Sequence, residues 1–195
     1  MAMDSLKLFK FIILGSIIFS CKDENNDQET NGIISDTTVV DIHGLLQVEN
    51  NSIVNKNGAA VALAGNSFFW SNDNWGGELY YTPEVVVWLK ENWKTNIVRA
   101  AMGVEDSGGY LDNKTANKER VQTIVDAAID VGIYVIIDWH SHHAEDNTGE
   151  AVNFFQEMAT LYGEYNNVIY EIYNEPLDIS WSNTLKPYAL SVISA

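Results

Sequence analysis

The sequence predicts an α/β fold: about the first four βα units of a (β/α)8 TIM barrel, occupying residues 41–195. Three observations predict it. Apolar segments of strand length alternate with helix-length segments of 3.6-residue periodicity. The strand segments are apolar at consecutive positions, as in IYVIIDWH from Ile133 to His140, the pattern of strands covered on both faces. The polar residues that interrupt them recur one unit apart: Arg99, then Asp138 and His140, 41 residues after Arg99, then Asn174 and Glu175, 35 residues after His140. Parallel strands would bring these ends to one rim, where barrels of this class carry their chemistry. An open doubly wound sheet also fits the alternation, but Gly76-Gly77 and Gly108-Gly109 lack the dinucleotide spacing and open no helix.

The chain begins with an address rather than with the fold. Lys7 and Lys10 precede the apolar run Phe11–Phe19, which is too short to span a bilayer. The only cysteine, Cys21, follows Ile18-Phe19-Ser20, a setting that resembles a bacterial lipobox. Residues 1–21 are therefore expected to be a lipoprotein signal, with Cys21 the lipidated residue and the protein secreted and anchored at an outer membrane or cell surface. Residues 22–40 are polar and aperiodic, the composition of a flexible tether.

The elements then follow in order. Asn57-Gly58 suits a tight turn between Ser52-Ile53-Val54 and Ala60–Leu63. Ala60–Asn66 leads into the first sheet strand. Thr82-Pro83 opens a helix whose face is Val85, Trp88 and Leu89, with Trp93 also read as core. Asn96–Met102 is the second strand, and Val121, Ile124, Val125, Ala128 and Ile129 stripe the next helix. Ile133–His140 is the third strand, with Trp139 packing away from His140. Val152, Phe155, Ala159 and Tyr162 mark a helix, Val168–Glu175 the fourth strand, and Leu185, Tyr188, Val192 and Ile193 a last helix.

Composition narrows the function. The formal net charge is −16, from 11 basic and 27 acidic side chains, which disfavours a nucleic-acid backbone as partner. A single cysteine excludes an internal disulfide framework and a cysteine-rich zinc site. His140-Ser141-His142-His143 lacks the helical spacing of a metal-binding pair, so neither a metal nor a cofactor is expected. Trp70, Trp75, Tyr80 and Tyr81 cluster after the first strand, where flat rings either stack on sugar or pack beneath the loop.

The segment Ile172-Tyr173-Asn174-Glu175-Pro176, with NIVRAAMGVEDSGGYL at Asn96–Leu111 and VIIDWHSH at Val135–His142, resembles the family 5 glycoside hydrolases of cellulase type. The resemblance covers about residues 41–195. It implies retaining hydrolysis of β-1,4-glucan by double displacement, with Glu175 as catalytic acid/base. It implies that Arg99, His140 and Asn174 bind substrate, Arg99 also holding the nucleophile ionised. Of the clustered aromatics, Trp70 or Trp75 is the favoured sugar platform, with Trp70 taken as the substrate-binding residue. Asn174 and Glu175 can both reach one sugar only if the strand breaks its pleat there. In some members a tyrosine follows the Arg-Ala-Ala-Met run; here Gly103 stands.

A retaining mechanism needs two carboxylates about 5–5.5 Å apart. The family's nucleophile follows a seventh strand, and only four units are expected here. Glu145, Glu164 and Glu171 are not substitutes, being placed in a loop, at a helix end and within a strand. The expectation is an N-terminal fragment of a longer endoglucanase, inactive alone. Three other readings remain: a mannanase or xyloglucanase of the same family, a non-catalytic carbohydrate-binding surface lipoprotein, and a barrel enzyme of another class.

Overall fold

A computed structural model describes residues 37–195. The signal segment, Cys21 and residues 22–36 of the expected tether lie outside the described residues. Helix α1 (Val39–His43) comes first, capped by Thr38 and closed by Gly44. Val39 and Val40, assigned to the tether by composition, are thus helical.

A small antiparallel hairpin follows, β1 (Gln47–Glu49) with β2 (Ser52–Val54). The expected Asn57-Gly58 turn is present beside it: Gly58 has φ +77°, and Val54 bridges Ala60. Two backbone bonds flank that bridge, Val61 N to Ile53 O and Asn55 N to Ala59 O, and no ladder forms.

The main sheet is four parallel strands in chain order: β3 (Gly65–Ser67), β4 (Ile97–Gly103), β5 (Tyr134–His140) and β6 (Val168–Glu171). Three helices connect them: α2 (Pro83–Trp93), α3 (Lys114–Val131) and α4 (Thr148–Tyr162). A π-helical turn, Trp181–Leu185, leads into α5 (Lys186–Ile193). Local chemistry explains the boundaries. Pro83 occupies the first turn of α2, where no N–H is needed. The Asn113 side chain accepts from Ala116 N to start α3, and Gly132, at φ +70°, ends it in the left-handed conformation.

Strand alternation divides the sheet into two faces. Val98, Ala100 and Met102 of β4, with Val135, Ile137 and Trp139 of β5, form one face. They are buried with Val86, Leu89, Val121, Ile124, Phe154 and Met158 of the helices. Trp139 sits 5.2 Å from the Tyr110 ring and 5.5 Å from Phe154, as its alternation away from His140 predicts. The opposite face carries Arg99, Asp138, His140 and Glu171.

Four expectations need correction. The fourth strand ends at Glu171, not Glu175; the chain leaves the sheet and bends at Asn174. Arg99 is the third residue of β4 rather than at its C-terminal end, so its length, not its position, brings it to the rim. Trp88 and Trp93 are 49% and 61% exposed; α2 buries Val86 and Leu89 instead, because its inward face is turned one residue from the expected stripe. In α5, Tyr188 and Val192 are buried but Ile193 faces out.

Candidate active site

Register builds the site. Asp138 of β5 lies opposite Ala101 on one side and Glu171 on the other, and Ser67 lies opposite Arg99. Parallel partners point to the same face, so Ser67, Arg99, Asp138 and Glu171 share one surface, with His140 one pleat above Asp138.

Arg99 is the hub. Its Nε donates to Glu171 Oε2 (2.7 Å) and its Nη2 to Glu171 Oε1 (2.9 Å), a bidentate pair. The same Nη2 reaches Asp138 Oδ2 (2.8 Å) and Asn174 Oδ1 (2.8 Å), while Nη1 donates to Ser67 Oγ (3.3 Å). Burial works against the guanidinium's charge. The hydrogen bonds it donates to Glu171 and the charges of Asp138 and Glu171 outweigh it and hold Arg99 above its ordinary value.

Asp138 is fully buried. Its Oδ2 takes both Arg99 and His140 Nδ1 (2.6 Å), while Oδ1 has no partner among the described residues. Burial pushes the carboxyl above the usual range; the His140 hydrogen bond and Arg99's charge oppose it. The short Asp138 contact assigns the proton of neutral His140 to Nδ1. Its Nε2 is then an acceptor facing Asn174 Nδ2 at 3.5 Å.

The bend after β6 carries Asn174 to this cluster and leaves the Glu175 carboxylate 77% exposed beside it. His142 Nδ1 lies 3.1 Å from Glu175 O and 3.8 Å from Glu175 Oε2. Trp70 meets the His140 ring edge-on at 4.4 Å and stacks on Trp75 at 5.3 Å, forming a wall along one side. Tyr81 ties that wall down: its hydroxyl lies 2.9 Å from Phe69 O and 2.8 Å from Ala101 O. Burial and the charge of Asp138 raise its pKa well above the ordinary phenol value.

The structure therefore brings Arg99, His140 and Asn174 into one network, with Glu175 and Trp70 on its border. Two features were not anticipated. Glu171, set aside as an in-strand residue, is the main partner of Arg99. Glu145, set aside as a loop residue, lies 2.5 Å from the Tyr173 hydroxyl. For Glu171, counting by twos along adjacent strands would have placed it on the face of Asp138. The Glu145 pairing has no comparable sequence signal. Gly103 has a physical reason: a Cβ there would lie 1.8 Å from the Oδ1 of buried Asn72.

The parallel βα units thus carry a charged and aromatic cluster on one face of the sheet. The Cellulase (glycosyl hydrolase family 5) profile matches residues 54–195, and the chain belongs to that family. Endoglucanase Z of Dickeya dadantii is 62% identical over 136 residues, covering 70% of this chain and 32% of the relative. The endoglucanase of Clostridium saccharobutylicum is 37% identical over 174 residues, covering 85% of this chain and 37% of the relative. The catalytic domain of Thermobifida fusca endoglucanase Cel5A, solved also with cellotetraose, superposes with a TM-score of 0.72 at 32% identity. That superposition covers 80% of this chain and 50% of the other. The chain thus spans about a third of these curated relatives and half of the solved domain. The fold is part of a TIM barrel.

Proposed function

We propose that this chain carries the proton-donating half of a retaining β-1,4-glucanase site. The observation that carries the reading is the bend at Asn174, which sets Glu175 beside the Arg99–Asp138–His140 network instead of continuing the strand. The Thermobifida fusca enzyme with cellotetraose supports a β-glucan as the ligand.

In this reading Glu175 protonates the departing glycosidic oxygen and later deprotonates water. Asn174, fixed through Oδ1 by Arg99, offers its Nδ2 to a sugar hydroxyl. His140, oriented by Asp138, presents Nε2 to another. Trp70 and Trp75 supply an apolar wall for pyranose faces. The second carboxylate comes from barrel units other than these four. Both oxygens of Glu171 are held by Arg99, and Glu145 is engaged by Tyr173. Glu164 lies just beyond the end of α4. Arg99 stands where it would stabilise a further negative charge at the centre of the site. Cleavage by the 195-residue chain alone is not expected.

The test uses the longest natural protein that contains this chain. Glu175→Gln should lower kcat on cello-oligosaccharides by roughly 10²–10⁴-fold, the usual contribution of general acid–base catalysis. KM should change little. Full activity of that variant would reject the role. The same proposal holds the enzyme at a bacterial surface through lipidated Cys21, with residues 22–40 as tether. Fatty-acid labelling should be lost in Cys21→Ser, and retained label would reject the anchor.

A further inference from the structure

We infer that His142 is a positioning residue for Glu175: it fixes the backbone and the direction of the proton donor. The inference rests on Glu175 being the catalytic acid.

Glu175 has little else to hold it. Its carboxylate is mostly in solvent, and His142 is the one oppositely chargeable group within 4 Å of it among the described residues. An exposed glutamate samples many rotamers, whereas proton delivery needs one. The carbonyl Glu175 O can only accept, so at 3.1 Å the His142 Nδ1 carries the proton and donates. The same nitrogen lies 3.8 Å from Oε2, close enough to limit where the carboxylate swings.

His142 is itself anchored. The Tyr173 hydroxyl lies 3.0 Å from His142 O and 2.5 Å from Glu145 Oε2. Burial, with the Glu145 hydrogen bond and charge, raises the Tyr173 pKa far above the ordinary value, so the phenol remains a donor at all working pH. Tyr173 precedes Glu175 by two residues. The segment after β6 therefore grips the segment after β5 through Tyr173 and is gripped in return by His142, closing a loop of contacts around the acid. On its other side the His142 ring is flanked by His140 at 6.3 Å and Trp70 at 6.5 Å. Arg99, Asp138 and Glu171 belong to the neighbouring network, and no contact joins them to His142. None of these groups can replace the Nδ1–H donor.

The experiment uses the same complete protein and a series of aryl β-cellobiosides of graded leaving-group acidity, read as kcat/KM. A dinitrophenolate leaves without protonation; a weakly acidic phenol does not. His142→Ala should lose about tenfold on the weakly acidic phenols and less than about twofold on the dinitrophenyl substrate. His142→Asn, whose side-chain amide can stand in for Nδ1–H, should recover most of the loss. Tyr173→Phe, which releases the loop but leaves the imidazole, should show the same dependence at smaller size. Equal losses across the series, no loss, or no recovery by asparagine would overturn the inference. Glu175→Gln in parallel separates the failures. If it shows the leaving-group dependence and His142→Ala does not, only the inference falls. If it does not, the reading of Glu175 falls with it.

Discussion

At the residue scale, Asp138 is the group on which the site's geometry turns. It is buried, its Oδ2 meets both Arg99 and His140, and its Oδ1 has no partner among the described residues. Removing one member of a buried charged set leaves the others uncompensated, typically at about 3–5 kcal/mol. Arg99 keeps Glu171, so Asp138→Ala is expected at about 3 kcal/mol, measured by urea unfolding. Asp138→Asn should be milder in stability yet still impair turnover, because an amide does not enforce the Nδ1–H tautomer of His140. Gly103 gives a second test. A methyl there would meet Asn72, whose Nδ2 already joins the β3 and β4 loops through Asp106 O (3.2 Å) and Ser107 O (3.1 Å). Overpacking of this kind costs about 1–3 kcal/mol. Gly103→Ala should lower the unfolding midpoint accordingly, and an unchanged midpoint would mean that Asn72 moves freely.

At the element scale, α3 is joined to the loop after β3 by charge. Asp73 accepts from Asn113 Nδ2 (3.0 Å) and pairs with Arg120 (2.5 Å), and Arg120 also donates to Ser71 O. The Asn113 hydrogen bond, then Arg120, holds the Asp73 carboxyl below its ordinary value. The folded state therefore releases this proton more readily than the unfolded chain. The stabilisation is present above the unfolded value of about 3.9 and is lost as pH falls through the lower folded value. Asp73→Asn should lower Tm at neutral pH, and the difference from wild type should shrink below about pH 4. A constant difference would assign the effect to packing. Such links explain what was readable beforehand. Strand and helix identities followed from runs such as Ile133–His140 and from the Thr82-Pro83 helix start, because each is set by neighbours in the chain. The Arg99, His140 and Asn174 cluster followed from one-unit spacing. The exposed Trp88 and Trp93 did not, since their stripe is apolar whatever covers it. The end of β6 at Glu171 was hidden too, because Ile172 and Tyr173 keep a strand-like composition after the chain has left the sheet. Glu171 lies in its strand as expected, but its pairing with Arg99 was not foreseen because register, not composition, sets it.

At the scale of the whole molecule, the sheet has two edges, β3 and β6, each with one strand neighbour among the described residues. An apolar groove lies beside each. One, of about 220 Å³, is lined by Phe68, Phe69, Tyr80, Val85, Leu89 and Trp93. The other, of about 400 Å³, is lined by Phe155, Ala159, Tyr170, Ile172, Val192 and Ile193. The Tyr170 hydroxyl beside the second is buried without a partner among the described residues. Unpaired strand edges with apolar flanks are association sites in water. A net charge of −16 opposes association at long range, but screening by salt shortens its reach to about 8 Å at physiological ionic strength. The 195-residue chain produced by itself should therefore bind a hydrophobic dye such as ANS, self-associate more as salt is added, and hydrolyse no soluble cellulose. The longest natural protein containing it should bind little dye and sediment independently of salt. Dye fluorescence, sedimentation velocity and reducing-sugar release check the three together. A 195-residue chain that stays monomeric in high salt, excludes the dye and cleaves cellulose would show that these four units close their own edges and hold both carboxylates, against the division of labour proposed for Glu175.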